Sequence, residues 1–389
     1  MSDSAGAAPR AWRAWIAVLA GAGVAWGGLS YVALTIGVLA EGYRYSLTDA
    51  AALATLELGA MALTTMTGGY LLQHLSVRQL AVLGGCTAAA ANLLSAVVAP
   101  PAILAATRVA AGAGFGWMAA GLNTSVSRSP NPQRLFLHAN FGCITAAAVF
   151  FAVMPEIYGR AGYRSYFVAY ALLCAAAAVA MRWLPTSART VRAARTDVRP
   201  LGAARLAVFG AVSTVWLCYA GVWSLTERVG REIGMTEEAV GHALGLSTLA
   251  GLLGAGVAAA CEGRLNPLRP RLFTSLATGL CYVWFGSSDS PAAYTGSLCV
   301  WGVVFCPILA YAYAVATEID PSGALGRLIG GGTAISTALG PTLGAAIAQR
   351  IGYAGVGIAA FAVTASACVA IAILVPRARQ GNRALLPAT

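Results

Sequence analysis

Two side chains in this 389-residue chain stand where charge is costly: Arg108 and Glu57 each lie well inside a long apolar run. An ionised group at the centre of a membrane-length helix costs on the order of 2.5–3.5 kcal/mol on insertion scales, so it marks a functional site by default. A guanidinium stays charged at every relevant pH and grips a carboxylate through its planar fork. Arg108 can therefore clamp an anionic group or act on a proton-bearing site. The alternative is a structural ion pair, or hydrogen bonds to backbone carbonyls. Glu57 sits at a comparable depth in its own run and is the natural partner. Desolvation there favours the neutral carboxyl, and a nearby guanidinium favours the carboxylate. A group held between those pulls can load and release a proton; a static salt bridge is the other reading.

A second constellation is aromatic. Trp216, Tyr219, Trp223 and Glu227 recur at spacings of three, four and four, which places them on one helical face. Tyr294, Trp301 and Phe305 repeat the pattern in a later run, and Trp26, Ser30, Tyr31 and Thr35 supply polar and aromatic groups in the first. Such faces line a cavity, pack against neighbours, or anchor a helix at the membrane interface. Glu227, ending its stripe, is a second proton-carrying residue in the cavity reading. His138 and His242 read as surface or packing residues, and Glu318 and Asp320 as solvated groups closing their run.

The helices that must hold these residues are threaded by arginine. All 25 basic residues are Arg; 18 fall at the termini and in alternate loops, six in the other loops, and Arg108 within a run. Cytoplasmic loops concentrate basic residues near span ends, which predicts an integral membrane protein of the cell inner membrane with both termini cytoplasmic. A span needs about 20 apolar residues, and twelve are predicted: 14–38, 47–73, 79–98, 102–126, 135–155, 164–184, 205–228, 236–261, 271–287, 291–316, 325–349 and 353–376. The domains expected are an N-terminal six-helix bundle (1–184), a linker (185–204) and a C-terminal six-helix bundle with a short tail (205–389). The linker region carries Arg189, Arg192, Arg195, Arg199 and Arg205 and suits a stretch lying against anionic headgroups. Residues 1–11 read as a disordered tail. The stretch Arg264 to Arg271 reads as a basic cytoplasmic loop ending at the ninth span.

Composition excludes much. Residues are 58% hydrophobic and 10% charged, against roughly 25% charged in soluble domains. The net charge of +11 is dispersed among loops rather than gathered on one soluble face, which argues against nucleic acid. The nine cysteines lie within apolar runs, with no zinc spacing. No metal or cofactor is expected. The first run is too long for a signal-peptide core. No HExxH, GxSxG or P-loop is present, so neither an enzyme nor ATP-driven chemistry is expected.

An internal repeat supports two halves: Gly162-Tyr163 opens the sixth span, and Gly352-Tyr353 opens the twelfth, about 190 residues on. With Arg108-Val-Ala-Ala-Gly112-Ala-Gly114-Phe-Gly116 in the fourth span, the chain resembles a major facilitator superfamily transporter along nearly its whole length. Those residues are similar to the family's fourth-helix motif, and Gly162-Tyr-Arg164 resembles its sixth-helix entry. Gly69-Tyr-Leu71-Leu-Gln73-His74 stands where the family carries a Gly-x-Leu-x-Asp-Arg-type loop, with Gln in place of Asp. Glu262-Gly263-Arg264 is a looser counterpart in the second half. The Gly-Pro motif that drug–proton antiporters carry in the fifth helix is missing, although Gly340-Pro341-Thr-Leu-Gly344 occurs in the eleventh span.

The resemblance implies a monomeric secondary active transporter of a small organic solute, working by alternating access around a midmembrane site between the halves. The solute expected is an organic anion, with an aromatic body among the forms it can take, moved with protons. The alternative is proton-driven efflux of drugs or hydrophobic compounds. The substrate-binding residues expected are Arg108, Trp26, Tyr31, Asn123, Trp216, Tyr219, Trp223 and Trp301. Glu57 and Glu227 are expected to carry protons, and Gly69, Gln73, Arg78, Gly112, Gly340 and Pro341 to serve gating. Partners are then the solute, protons and the lipid bilayer.

Overall fold

A computed structural model describes residues 8–98, 100–129, 131–185, 202–261, 264, 266–320 and 323–384. The linker arginines Arg189, Arg192, Arg195 and Arg199, the loop pair Glu262-Gly263 and the tail residues 1–7 lie outside the described residues. The described chain is helical, without strands. Packing divides it into two compact units, Met1–Ala193 with Glu237–Gly245, and Ala194–Thr236 with Leu246–Thr389.

In the first unit a broken rod, α1 (Ala8–Ala25), α2 (Gly27–Ser30) and α3 (Val32–Gly42), precedes α4 (Leu47–Leu71) and α5 (Val77–Val97). Then come α6 (Pro101–Ser127), α7 (Pro132–Ala161) and α8 (Arg164–Met181). Residues 8–11, expected to be a disordered tail, already belong to α1. Polar caps start the helices. Ser46 accepts from the Asp49 amide, Ser76 and Gln79 form a reciprocal capping box, and Asn131 caps a helix with Pro132 in its first turn. Trp26 and Tyr31, both near φ −95 and ψ 3, interrupt the rod twice.

The second unit is built from α9 (Ala203–Trp223), α10 (Thr226–Glu232) and α11 (Glu237–Cys261), the last contributing its first residues to the other unit. α12 (Leu268–Gly286), α13 (Pro291–Phe305), α14 (Ile308–Ile319) and α15 (Ala324–Ala384) follow. α15 is two helices joined at Gly352, whose φ of 72° breaks the helical path; Gly162, at φ 82°, ends α7. Both glycines of the internal repeat thus make the same left-handed turn, which Gly adopts at no steric cost.

Large apolar side chains face outward: Leu63, Leu172, Leu253 and Phe273 are each more than 60% exposed. In water such a surface would aggregate; in lipid it is solvated. Among the described residues nine helices are long and apolar enough to cross a membrane. The difference from twelve has physical causes. The first predicted span is broken into short pieces, two spans run together through Gly352, and α12 carries Arg269 and Arg271 in its first turn.

Two sequence expectations are corrected here. Asp320, expected in solvent, is 2% exposed; it receives the Arg205 guanidinium at 3.6 Å and caps the Leu325 amide at 2.8 Å. Arg271, expected at the edge of a basic loop, is buried in the first turn of α12.

Candidate functional site

Arg108 reaches across to α4 and meets Glu57: Nη1 donates to Oε2 at 3.1 Å, with the arginine side chain fully buried and the glutamate nearly so. Its Nη2 donates to Asn92 Oδ1 at 3.1 Å and to Ser95 Oγ at 2.7 Å, both on α5. The guanidinium carbon lies 4.6 Å from the ring centre of Phe167 on α8, a distance suited to a cation–π contact. Asn92 is itself held by the Ala88 carbonyl, and Ser95 by Ala91 and Thr107. The pairing expected from depth alone is therefore present. Three helices supply its partners. In this conformation the guanidinium has no exposed surface, so a solute anion can reach it only after the pair opens.

Gly112, one turn beyond Arg108, explains why α4 and α6 come so close. A Cβ there would collide with the Glu57 carbonyl oxygen, and one at Gly116 with Thr64 and Met61. The glycine face lets the backbones touch, which brings a long arginine within reach of a short carboxylate. The motif's spacing is in this way a packing device that sets the ion-pair distance.

Trp26 and Asn123 share a cleft of about 550 Å³ with Val126, Ser127, Pro132, Phe136 and Leu137. Trp26 sits at the first break of the rod, 6.1 Å from Phe136 between ring centres. Tyr31 does not share this cleft: it is 3% exposed, donates to the Gly23 carbonyl at 2.7 Å and stacks on Phe150.

In the second unit the predicted stripe becomes a cluster. Tyr219 stacks on Phe305 at 3.8 Å and lies 5.4 Å from Trp216, 6.1 Å from Trp223 and 5.9 Å from Trp301. Trp216 Nε1 donates to Thr337 Oγ1 at 2.7 Å. Trp223 and Trp301 are buried; Trp216 and Tyr219 are half-buried. Glu227 lies apart from the rings' helix, on α10 beyond a break at Ser224 and Leu225. It is 4% exposed, and its Oε2 lies 3.9 Å from Arg228 Nη1.

The residues expected to gate are dispersed. Gly69 is exposed, with open space beside its Cα, and Gln73 is exposed in the turn after α4. Arg78 Nε donates to the Leu184 carbonyl at 2.7 Å, tying α5 to the end of α8. Gly340, beside Pro341 within α15, fits against Ala220 and Gly221. Sequence reasoning missed Asn92, Ser95 and Phe167. The first two stand three residues apart in the third predicted span, which is a legible polar face; Phe167 closes the sixth-helix entry Gly162-Tyr-Arg164-Ser-Tyr-Phe167, where nothing pointed it at a cation.

These long, apolar, glycine-faced helices with their apolar exterior define a multi-pass membrane protein. The chain matches the model of the Major Facilitator Superfamily over residues 18–330, and it belongs to that family. It is a secondary transporter. No curated protein matches it in sequence. Among solved structures, a POT family transporter in complex with a thioalcohol-conjugated peptide superposes with TM-score 0.76 at 11% identity, covering 95% of this chain and 96% of that one. A mutant of the nucleoside transporter NupG gives 0.72 at 12%, over 93% and 99%. A bacterial homologue of the human lysosomal transporter Spinster, inward-facing and unoccupied, gives 0.67 at 12%, over 97% and 99%. At such identities the likeness speaks for the fold alone.

Proposed function

We propose that this protein moves a small organic anion with an aromatic or apolar body across the cell inner membrane, coupled to protons, by alternating access. In this reading it is a monomer of twelve crossings with cytoplasmic termini, and its halves are 1–184 and 205–389. The observation that carries the proposal is the buried pair of Glu57 and Arg108. A carboxylate in an apolar interior stays ionised only while a cation faces it. A proton on Glu57 removes that attraction and leaves the guanidinium without its counter-charge. A solute carboxylate then takes the place of Glu57, with the same fork as its clamp. Proton and anion binding become linked because each stabilises the state the other needs. Asn92, Ser95 and Phe167 hold the guanidinium in position during the exchange. Trp26 and Asn123 offer the solute a half-open cleft, and Trp216 and Tyr219 offer flat apolar faces. Glu227 is a second proton carrier in this scheme.

The closed state of the pair also favours a second reading. With both Nη1 and Nη2 of Arg108 held by protein groups, proton exchange at Glu57 could drive efflux of hydrophobic compounds that never touch the guanidinium. Purified protein in liposomes under an imposed pH gradient, screened with carboxylates and with neutral and cationic drugs, decides between them. Accumulation of a carboxylate that collapses with the gradient supports the first reading. Transport restricted to neutral or cationic drugs replaces it with the second, and no flux of any tested class removes both.

A further inference from the structure

The second unit holds a buried arginine that its own protein groups do not satisfy. Arg271 is 1% exposed, and only one of its nitrogens, Nη1, has an acceptor: Ser275 Oγ at 2.8 Å. Nε and Nη2 have none, and among the described residues Arg271 makes no ion pair. The side chain runs the unexpected way. An arginine one turn into a helix can bring its head to the interface, but this one donates to the residue one turn deeper. It also sits at the N-terminal end of a 19-residue helix, where the backbone dipole repels a cation and attracts an anion.

The deeper surroundings are polar and equally unpartnered. Arg271, Ser275, Thr278 and Tyr282, spaced four, three and four, form one face of α12, all 1% exposed or less. Thr278 Oγ1 and Tyr282 Oη have no hydrogen-bond partner, while Thr364 on α15 meets the Cys218 thiol of α9. The Cys368 thiol, one turn from Thr364, meets Ser275. The titratable groups that bear on Arg271 are Cys368 and Tyr282, neither of which is a carboxylate.

We propose that Arg271, at the head of the hydroxyl face of α12, is a binding site for a small monovalent anion inside the second unit. A buried, uncompensated guanidinium is strongly unfavourable. An anion accepting from Nε and Nη2 removes that penalty. Halide and small carboxylate share this chemistry. The source is either a free inorganic ion or the carboxylate end of a solute. The proposal stands independently of the role given to Arg108.

The test compares thermal unfolding of the purified full-length protein at constant ionic strength in chloride, in formate, and in gluconate, a far bulkier anion that serves as the reference. Wild type should melt several degrees higher with the anion it binds than in gluconate, since a ligand of the native state raises its stability. Arg271→Gln should lose that difference, and in gluconate it should melt at or above wild type because an unpaired charge has been removed. A response to chloride alone identifies an inorganic-ion site; a response to formate alone identifies an anchor for a carboxylate; both identify a general monovalent-anion site. If the variant does not fold, chloride-35 line broadening by wild type, displaced by bromide or formate, serves instead. Indifference of wild type to anion identity, or an undiminished response in Arg271→Gln, overturns the proposal.

Discussion

Among the described residues two arginines are buried, one in each unit, and the protein treats them oppositely. Arg108 receives a carboxylate from α4, an amide and a hydroxyl from α5, and an aromatic face from α8. Arg271 receives one serine from its own helix. Depth does not distinguish them, since both side chains are sealed from solvent. Neighbours do. The first charge is neutralised inside the protein and can be released by protonating Glu57. The second remains a net positive charge in an apolar unit, open to a counter-ion. One arrangement suits a switch, the other a permanent anion seat.

The contrast breaks most visibly at Arg108. Arg108→Ala should eliminate transport and cost about 3–5 kcal/mol in unfolding measurements, because it strands a buried carboxylate. The double variant Arg108→Gln with Glu57→Gln should recover most of that stability while remaining unable to couple. If the two single losses simply add in the double variant, the residues are not energetically paired. Arg108→Lys should leave little transport, since an ammonium does not replace a planar fork; wild-type uptake would reduce Arg108 to a structural charge.

Glu57→Gln sharpens the switch. It should abolish proton-driven accumulation yet keep exchange of solute for solute, measured as counterflow in liposomes; intact accumulation would move coupling elsewhere. Gly112→Val acts one step further back, forcing α4 and α6 apart. Its cost should be about 1–3 kcal/mol of overpacking, with a transport defect resembling that of the pair variants. The smallest effect on transport should be that of Ser95→Ala, which removes one hydrogen bond to the charged guanidinium but keeps the glutamate. Its transport should fall only in part, and a loss as complete as that of Arg108→Ala would make Ser95 more than a support.

Much of unit 1's chemistry was legible beforehand. Glu57 and Arg108 could be matched by depth because a buried charge requires a partner and only one was available at that level. The stripe of Trp216, Tyr219 and Trp223 became a cluster because helical periodicity alone puts such residues on one face. Other readings failed for a definite reason. Arg271 and Asp320 stand near helix ends, where sequence position suggests solvent, yet the packing of α12, α14 and α15 covers both. Tyr31 stands in the same run as Trp26, but the rod breaks at both residues, and Tyr31 packs in the aromatic interior away from Trp26's cleft.

By composition, arginine alternation and the Arg-Gly motif, the chain alone determined a helical membrane transporter with charge inside its spans. Those are properties of local hydropathy and spacing, which no tertiary contact can undo. Only the folded structure decided which buried charges are matched. Compensation depends on groups brought from distant segments, such as Asn92, Ser95 and Phe167 around Arg108, and that proximity is written in no single stretch of the chain.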